Sequence, residues 1–306
     1  MWALILLHCS KSNSRARATT RDRHGKEGAN HYNGSGPRDS GKTAPDAGVT
    51  AFAGPGIAAA MGVLAGACLG SFIGTVLVRL PAERSLVRGH SACDACDSPI
   101  SIADLVPIGS WLVLRGRCRA CGAAIGAWQL AAEVAGAGIG FAPWLLTTDI
   151  WLAILMMAMG WQLLLLALLD ARHFWLPLRL VGLLGATGLA GAIALSTRVP
   201  ATAHVEVALI GGVLGWGALA LVRLLYQRVR GEEGMGAADP WLMGAIGLWL
   251  GPLGVVEVLL GASLVGIVSA ATMLVLGQRV AADTALPLGT CIAVAAWPLF
   301  CLQGFG

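Results

Sequence analysis

The stretch IWLAILMMAMGWQLLLLALLD, residues 150–170, decides the fold. Its first twenty positions hold no charged side chain, and twenty helical residues rise through roughly 30 Å, the thickness of a bilayer core. The run then ends on an acid, Asp170. Outward from it, further apolar runs occupy 56–78, 126–146, 179–197, 205–225, 241–256, 257–277 and 286–303, making eight predicted spans in all. Gly251-Pro252 and Glu257 leave two readings of the sixth and seventh: two spans joined by a short outer turn, or one long kinked helix. Only 12% of the 306 residues are charged and mean hydropathy is +0.72. A soluble chain carries about 25% charged residues. The apolar runs are continuous rather than alternating, which argues against a β-barrel. The expected fold is an all-α polytopic membrane protein of about eight transmembrane helices.

Charge divides the chain. Lys11, Lys26 and Lys42, the only lysines, fall in a polar opening segment with Arg15, Arg17, Arg21, Arg23 and Arg38. Too little apolar area is available there to offset chain entropy, so residues 1–54 read as a disordered tail or a mis-annotated start. Residues 55–80 form the first span, 81–125 a long loop and 126–306 the remaining bundle. Arg79, Arg84, Arg88, Arg115, Arg117, Arg119, Arg172, Arg179, Arg223, Arg228, Arg230 and Arg279 all fall on one side of this array. On the opposite side, the loops joining the spans hold only Arg198. Such a bias places the arginine-rich loops in the cytoplasm. Their guanidinium groups suit anionic lipid headgroups, and nucleic acid is not required as a partner.

The long loop carries Cys93-Asp94-Ala95-Cys96 and Cys118-Arg119-Ala120-Cys121. Paired CxxC knuckles present four thiolates to one tetrahedral ion, the pattern of a structural zinc site. Two disulfides are the competing reading, which a reducing cytoplasm opposes. Glu133, Asp149, Asp170, Asp239 and Glu257 are carboxylates in or against the spans. An ionisable group there is costly, so each is a candidate for function. Asp170 and Asp239 fall on the same membrane face by the arginine topology. If they meet, one can serve as general base on a water and the other as general acid. In the plainer reading each caps a helix, and Asp239-Pro240 matches an N-cap followed by proline.

The blocks around these residues resemble the prepilin peptidases, membrane aspartic peptidases of type IV pilus and type II secretion systems. Residues 70–81, GSFIGTVLVRLP, are similar to the family's GSFLNVVIYRLP, and 106–118, VPIGSWLVLRGRC, to IPVLSWLLLRGRC. Asp170 with Leu176-Pro177 matches the first aspartate motif, and residues 234–239, GMGAAD, match the second, GMGxGD. Leu286-Pro287-Leu288-Gly289 resembles the closing LPFG. Matching blocks run in order from about 62 to 291. The chain departs from the pattern at Gly74 for Asn, Leu178 for Asp, Ala238 for Gly, Trp241 for Lys, and Trp128-Gln129 for Tyr-Pro.

The resemblance implies cleavage of type IV prepilins or pseudopilins by Asp170 and Asp239, after a glycine where a short basic leader meets a hydrophobic helix. It also implies a bacterial inner membrane location with the active site facing the cytoplasm. Many bacterial members methylate the new amine with S-adenosylmethionine. Glu133 matches an acid of the family's second helix and is the candidate for methyl transfer or substrate binding. Two other classes compete. A degenerate relative would bind pilin-like helices without cutting, and a transporter would relay protons through acids near the midplane.

Overall fold

A computed structural model describes residues 55–83, 85, 92–93, 95–198, 204–277 and 286–303. The tail 1–54 and Arg84, Arg88 and Arg279 of the charge pattern lie outside the described residues. The helices are α1 (Pro55–Arg79), the short α2 (Gly109–Val113), α3 (Ala127–Leu146), α4 (Ile150–His173), α5 (Leu178–Arg198), α6 (His204–Arg230), α7 (Asp239–Val275) and α8 (Leu288–Gln303). A single 3-10 turn, Ile102–Leu105, precedes α2. Among the described residues two isolated β-bridges are the only extended pairing. Five helices are long and apolar enough to cross a bilayer, and the chain is a multi-pass membrane protein.

α4 has a defined start and stop. Asp149 caps it, its Oδ1 accepting from the Trp151 N–H at 2.8 Å. Phe174 closes it in the left-handed region at φ 49°, its N–H donating to the Asp170 carbonyl at 2.9 Å. Pro177 then opens α5, its carbonyl accepting from Leu180 and Val181. Met156, Met159, Leu166 and Leu169 are wholly or almost wholly buried along α4. Leu163 and Leu166 pack into a core with Leu184, Leu242, Met243 and Ile292. Leu169 packs into a second core with Ile73, Leu77 and Ala132. α4 therefore joins the two halves of the bundle, and Asp170 follows directly on the residues that do so.

Close backbone approach holds neighbouring helices together. Gly66 on α1 faces Gly136 on α3, where a Cβ at Gly66 would lie 2.7 Å from the Gly136 carbonyl carbon. Gly62 and Gly70 make the same approach to Gly140 and Ala132. In a bilayer, where lipid is as apolar as leucine, such contacts replace the hydrophobic drive. α6 meets α7 in the same way, through Gly211 against Gly247 and Gly215 against Met243.

α7 corrects the expected boundary between spans six and seven. Backbone angles at Gly251 are φ 70° and ψ −175°, a region open in practice to glycine alone, and Pro252 has no N–H to continue a helix. A Cβ at Gly215 would lie 2.6 Å from the Met243 carbonyl oxygen and 3.3 Å from Val255 Cγ2. Twelve residues of straight helix would separate those two by about 18 Å. The chain therefore reverses at Gly251-Pro252, as the outer-turn reading has it, but five residues before the predicted boundary of 256/257. The first arm, 239–250, rises only about 18 Å, short of a full bilayer crossing. The second arm, 252–275, returns to the end where the first began.

Candidate active site

Asp170 and Asp239 come from distant parts of the chain and are only 6% and 5% exposed. Both line one cavity of about 1880 Å³, close enough for their charges to interact. Asp170 is held from α8. Its Oδ2 accepts from the Thr290 N–H at 2.7 Å and lies 3.0 Å from the Thr290 hydroxyl. That hydroxyl also lies 2.9 Å from the Ala167 carbonyl, so its single proton can serve either oxygen. Thr290 lies in the first turn of α8, where backbone N–H groups are free and the dipole favours an anion. A Cβ at Gly289 would meet Asp170 Oδ2 at 3.0 Å and Leu176 Cδ1 at 2.8 Å. The glycine of the closing motif thus leaves room for the carboxylate.

Asp239 is held by its own loop. The helix begins at Asp239 after Ala238, and the Leu242 N–H donates to the Ala238 carbonyl. Asp239 is therefore the first helical residue rather than the N-cap, which removes the capping role that Asp239-Pro240 suggested. Its Oδ2 instead turns back to accept from the Gly236 N–H at 3.1 Å. A Cβ at Gly236 would stand 3.0 Å from that same oxygen. Gly234 lies against the Tyr226 ring, where a Cβ would meet Cδ1 at 2.6 Å. Each glycine of GMGAAD before the acid thus has a contact that a side chain would disturb.

The other acids separate from this pair. Asp149 caps α4, and Glu257 accepts from Gln303 Nε2 at 2.8 Å. His173, sequence neighbour of Asp170, instead meets the Leu77 carbonyl at 3.1 Å and ties α4 to α1. Three of the departures line the cavity: Leu178, Ala238 and Trp241, the last with its ring 5.8 Å from that of Trp216. Sequence reasoning missed Thr290. Its one signal was its place beside LPLG, and a threonine there has no visible chemistry until α8 meets α4.

The four cysteines do converge. Their sulfurs all lie within 4.8 Å of one another, and Cys93 Sγ is 3.9 Å from Cys121 Sγ. In a zinc tetrahedron with Zn–S near 2.3 Å the sulfurs stand about 3.8 Å apart, so the residues fit a metal. The two knuckles are built alike. The Cys93 N–H donates to Ser98 and Cys118 to Ala123, while the left-handed residues Asp97 and Gly122 donate back to the carbonyls of Cys93 and Cys118. Backbone N–H groups of Cys121 and Ala120 hold the Cys118 thiol down to about 7. Arg119 reaches from the second knuckle to Asp104 at 2.6 Å and holds that carboxyl below its ordinary range.

Glu133 is the third buried acid, 5% exposed. It accepts from the Ile108 N–H at 2.7 Å and from Gln129 Nε2 at 3.1 Å. Ile108 sits at φ 60° and ψ −51°, costly for a branched side chain, and Glu133 captures its N–H. Gly74, where the family pattern has Asn, leaves space that Gln129 fills on its way to Ser71. Glu133, Trp111, Trp128, Arg79 and Arg172 line a second cavity of about 600 Å³ between the cysteine loop and the helices.

Fold and site together define the class, a polytopic helical membrane protein with paired buried aspartates at one end. Comparison with known proteins names its family. Residues 64–146 match the Bacterial Peptidase A24 N-terminal domain, and residues 157–271 match the Type IV leader peptidase family. A prepilin leader peptidase/N-methyltransferase of Stutzerimonas stutzeri is 33% identical over 256 residues, covering 76% of this chain and 86% of the relative. One of Pseudomonas aeruginosa is 32% identical, covering 77% and 87%. A type 4 prepilin-like proteins leader peptide-processing enzyme of Escherichia coli O78:H11 is also 32% identical, covering 77% and 92%. No solved structure matches. The chain belongs to the type IV leader peptidase family.

Proposed function

We propose that this chain is a membrane aspartic endopeptidase that removes the basic leader of type IV prepilins or pseudopilins, with Asp170 and Asp239 as the catalytic pair. The observation that carries the reading is the meeting of two buried carboxylates in one cavity. With one proton between them, the ionised carboxylate takes a proton from a water whose oxygen bonds to the scissile carbonyl carbon. The protonated one gives its proton to the amine as the C–N bond breaks. Relatives that carry leader-peptide processing in their names support the substrate class. Arg179, Arg223 and Arg230 line the same cavity, which supports a site facing the cytoplasm of the inner membrane.

The cysteine cluster holds structural zinc in this reading, its four ligands leaving no open position. The smaller cavity is the candidate site for S-adenosylmethionine, which when bound supplies a methyl group for the freed amine. Its residues fit a small amphoteric cation: a buried carboxylate at Glu133, indole walls, and a Trp111 Nε1 that is buried with no partner. Co-expression with a prepilin tests both parts by the mass of the product. Asp170→Asn or Asp239→Asn is expected to stop leader removal. Glu133→Gln keeps an acceptor for Ile108, and is expected to cut the methylated fraction at least tenfold while the leader is still removed. Continued processing in both aspartate variants would overturn the catalytic pair, and full methylation in Glu133→Gln the second assignment.

A further inference from the structure

α6 turns one face to the start of α7. Trp216, Leu219, Arg223 and Tyr226 recur on that face at helical spacing. The Trp216 ring stands 5.8 Å from that of Trp241, Leu219 enters the core, and the Tyr226 ring lies against Gly234. Arg223 falls between the two outer contacts on α6, and Asp239 falls between their partners along the chain. Both line the larger cavity, and the Arg223 charge reaches Asp239. Arg223 Nη2 meets Glu233 Oε1 at 3.2 Å, which Gln227 Nε2 also approaches at 3.4 Å. The Glu233 side chain is 74% exposed and that of Arg223 only 25%, so water screens the acid more than the cation. Arg223 Nε is buried with no hydrogen-bond partner. The other arginines of this cavity, Arg179 and Arg230, are exposed.

We propose that Arg223 is a positioning residue for Asp239, supplying from α6 the cation that the resembled motif carries at 241, where this chain has Trp241. The inference rests on the proposed function and adds a residue that acts through its acid. When Asp239 gives its proton to the leaving amine and the C–N bond breaks, a carboxylate is left where a neutral acid stood. A fixed cation beside that developing charge lowers the barrier of the step. It does little for a substrate bound while Asp239 is still neutral, so the effect falls on kcat. The bond to Glu233 ties the cation to the loop that ends in Asp239.

The test is steady-state cleavage of a purified prepilin by the full-length chain in detergent. Arg223→Gln keeps a hydrogen-bonding side chain without the charge, and is expected to lower kcat about tenfold or more with KM little changed. Arg223→Lys, or Trp241→Lys added to Arg223→Gln, returns a cation and is expected to restore most of kcat. Arg223→Glu with Glu233→Arg remakes the ion pair with its charges reversed, and is expected to stay as slow as Arg223→Gln. An unchanged kcat in Arg223→Gln, or no recovery with either lysine, would overturn the inference. Full recovery in the reversed pair would also overturn it, leaving Arg223 as a tether for the loop. Failure of the unsubstituted chain to cleave the prepilin would defeat the proposed function and this inference with it. Cleavage accompanied by any of the three contrary results defeats this inference alone.

Discussion

Asp170 and Asp239 are buried to a similar degree but are held by different devices, which separates their roles in the proposed chemistry. Asp170 receives the Thr290 N–H and hydroxyl at the start of a helix, where an anion is favoured. Asp239 receives one N–H, from Gly236. The better-solvated charge is therefore on Asp170, which suits it to be the ionised base while Asp239 carries the proton. Thr290→Val removes the hydroxyl and keeps the backbone bond. Because a hydrogen bond to a charged group contributes about 1.5–3 kcal/mol, kcat is expected to fall about tenfold or more, with KM little changed. Steady-state kinetics on a purified prepilin checks this, and an unchanged kcat would remove Thr290 from the site. Both aspartates stood out in the sequence as acids against apolar runs, and the motif resemblance separated them from Asp149 and Glu257. Thr290 and Gly289 were not, since their roles exist only once α8 packs against α4.

Among the elements, α7 carries the main departure from the sequence reading. Hydropathy runs unbroken from 241 to 277, so composition alone does not say where the chain turns. Gly251-Pro252 and Glu257 both offered a break, and of the two Glu257 is met by Gln303 of α8. The turn falls at Gly251 because glycine alone readily adopts its angles and Pro252 ends the hydrogen-bond ladder. Gly251→Ala puts a Cβ 2.9 Å from Val207 Cγ1 as well as straining the backbone. A loss of about 1–3 kcal/mol is expected, read as a lower unfolding temperature in detergent; an unchanged temperature would argue against the reversal. By contrast Gly62, Gly66, Gly70 and Gly74 recur every fourth residue in the sequence, a stripe that lets helix backbones approach, and all four lie against α3.

At the scale of the molecule, the bundle brings three buried acids to two cavities and sets a cysteine cluster beside one of them. The CxxC spacing made the cluster legible, since four soft ligands at that separation have one common use. The link from the cysteine loop to the membrane was not legible, because it runs through the backbone N–H of Ile108 to Glu133. One zinc per chain is expected in the purified protein by elemental analysis. Cys93→Ser with Cys118→Ser is expected to abolish it and to expose the loop to protease. A full metal content in that variant would contradict the four-cysteine site.

The central claim is that Asp170 and Asp239 act as one unit on one water. Single-turnover cleavage of a prepilin by Asp170→Asn, Asp239→Asn and the double variant tests it most directly. Paired acid–base groups contribute about 10²–10⁴-fold in rate, and members of a unit are grossly non-additive. Each single variant is expected to fall to the same low rate, with the double variant no slower. A double variant slower by the product of the two single losses, or either single variant near the full rate, would contradict the claim.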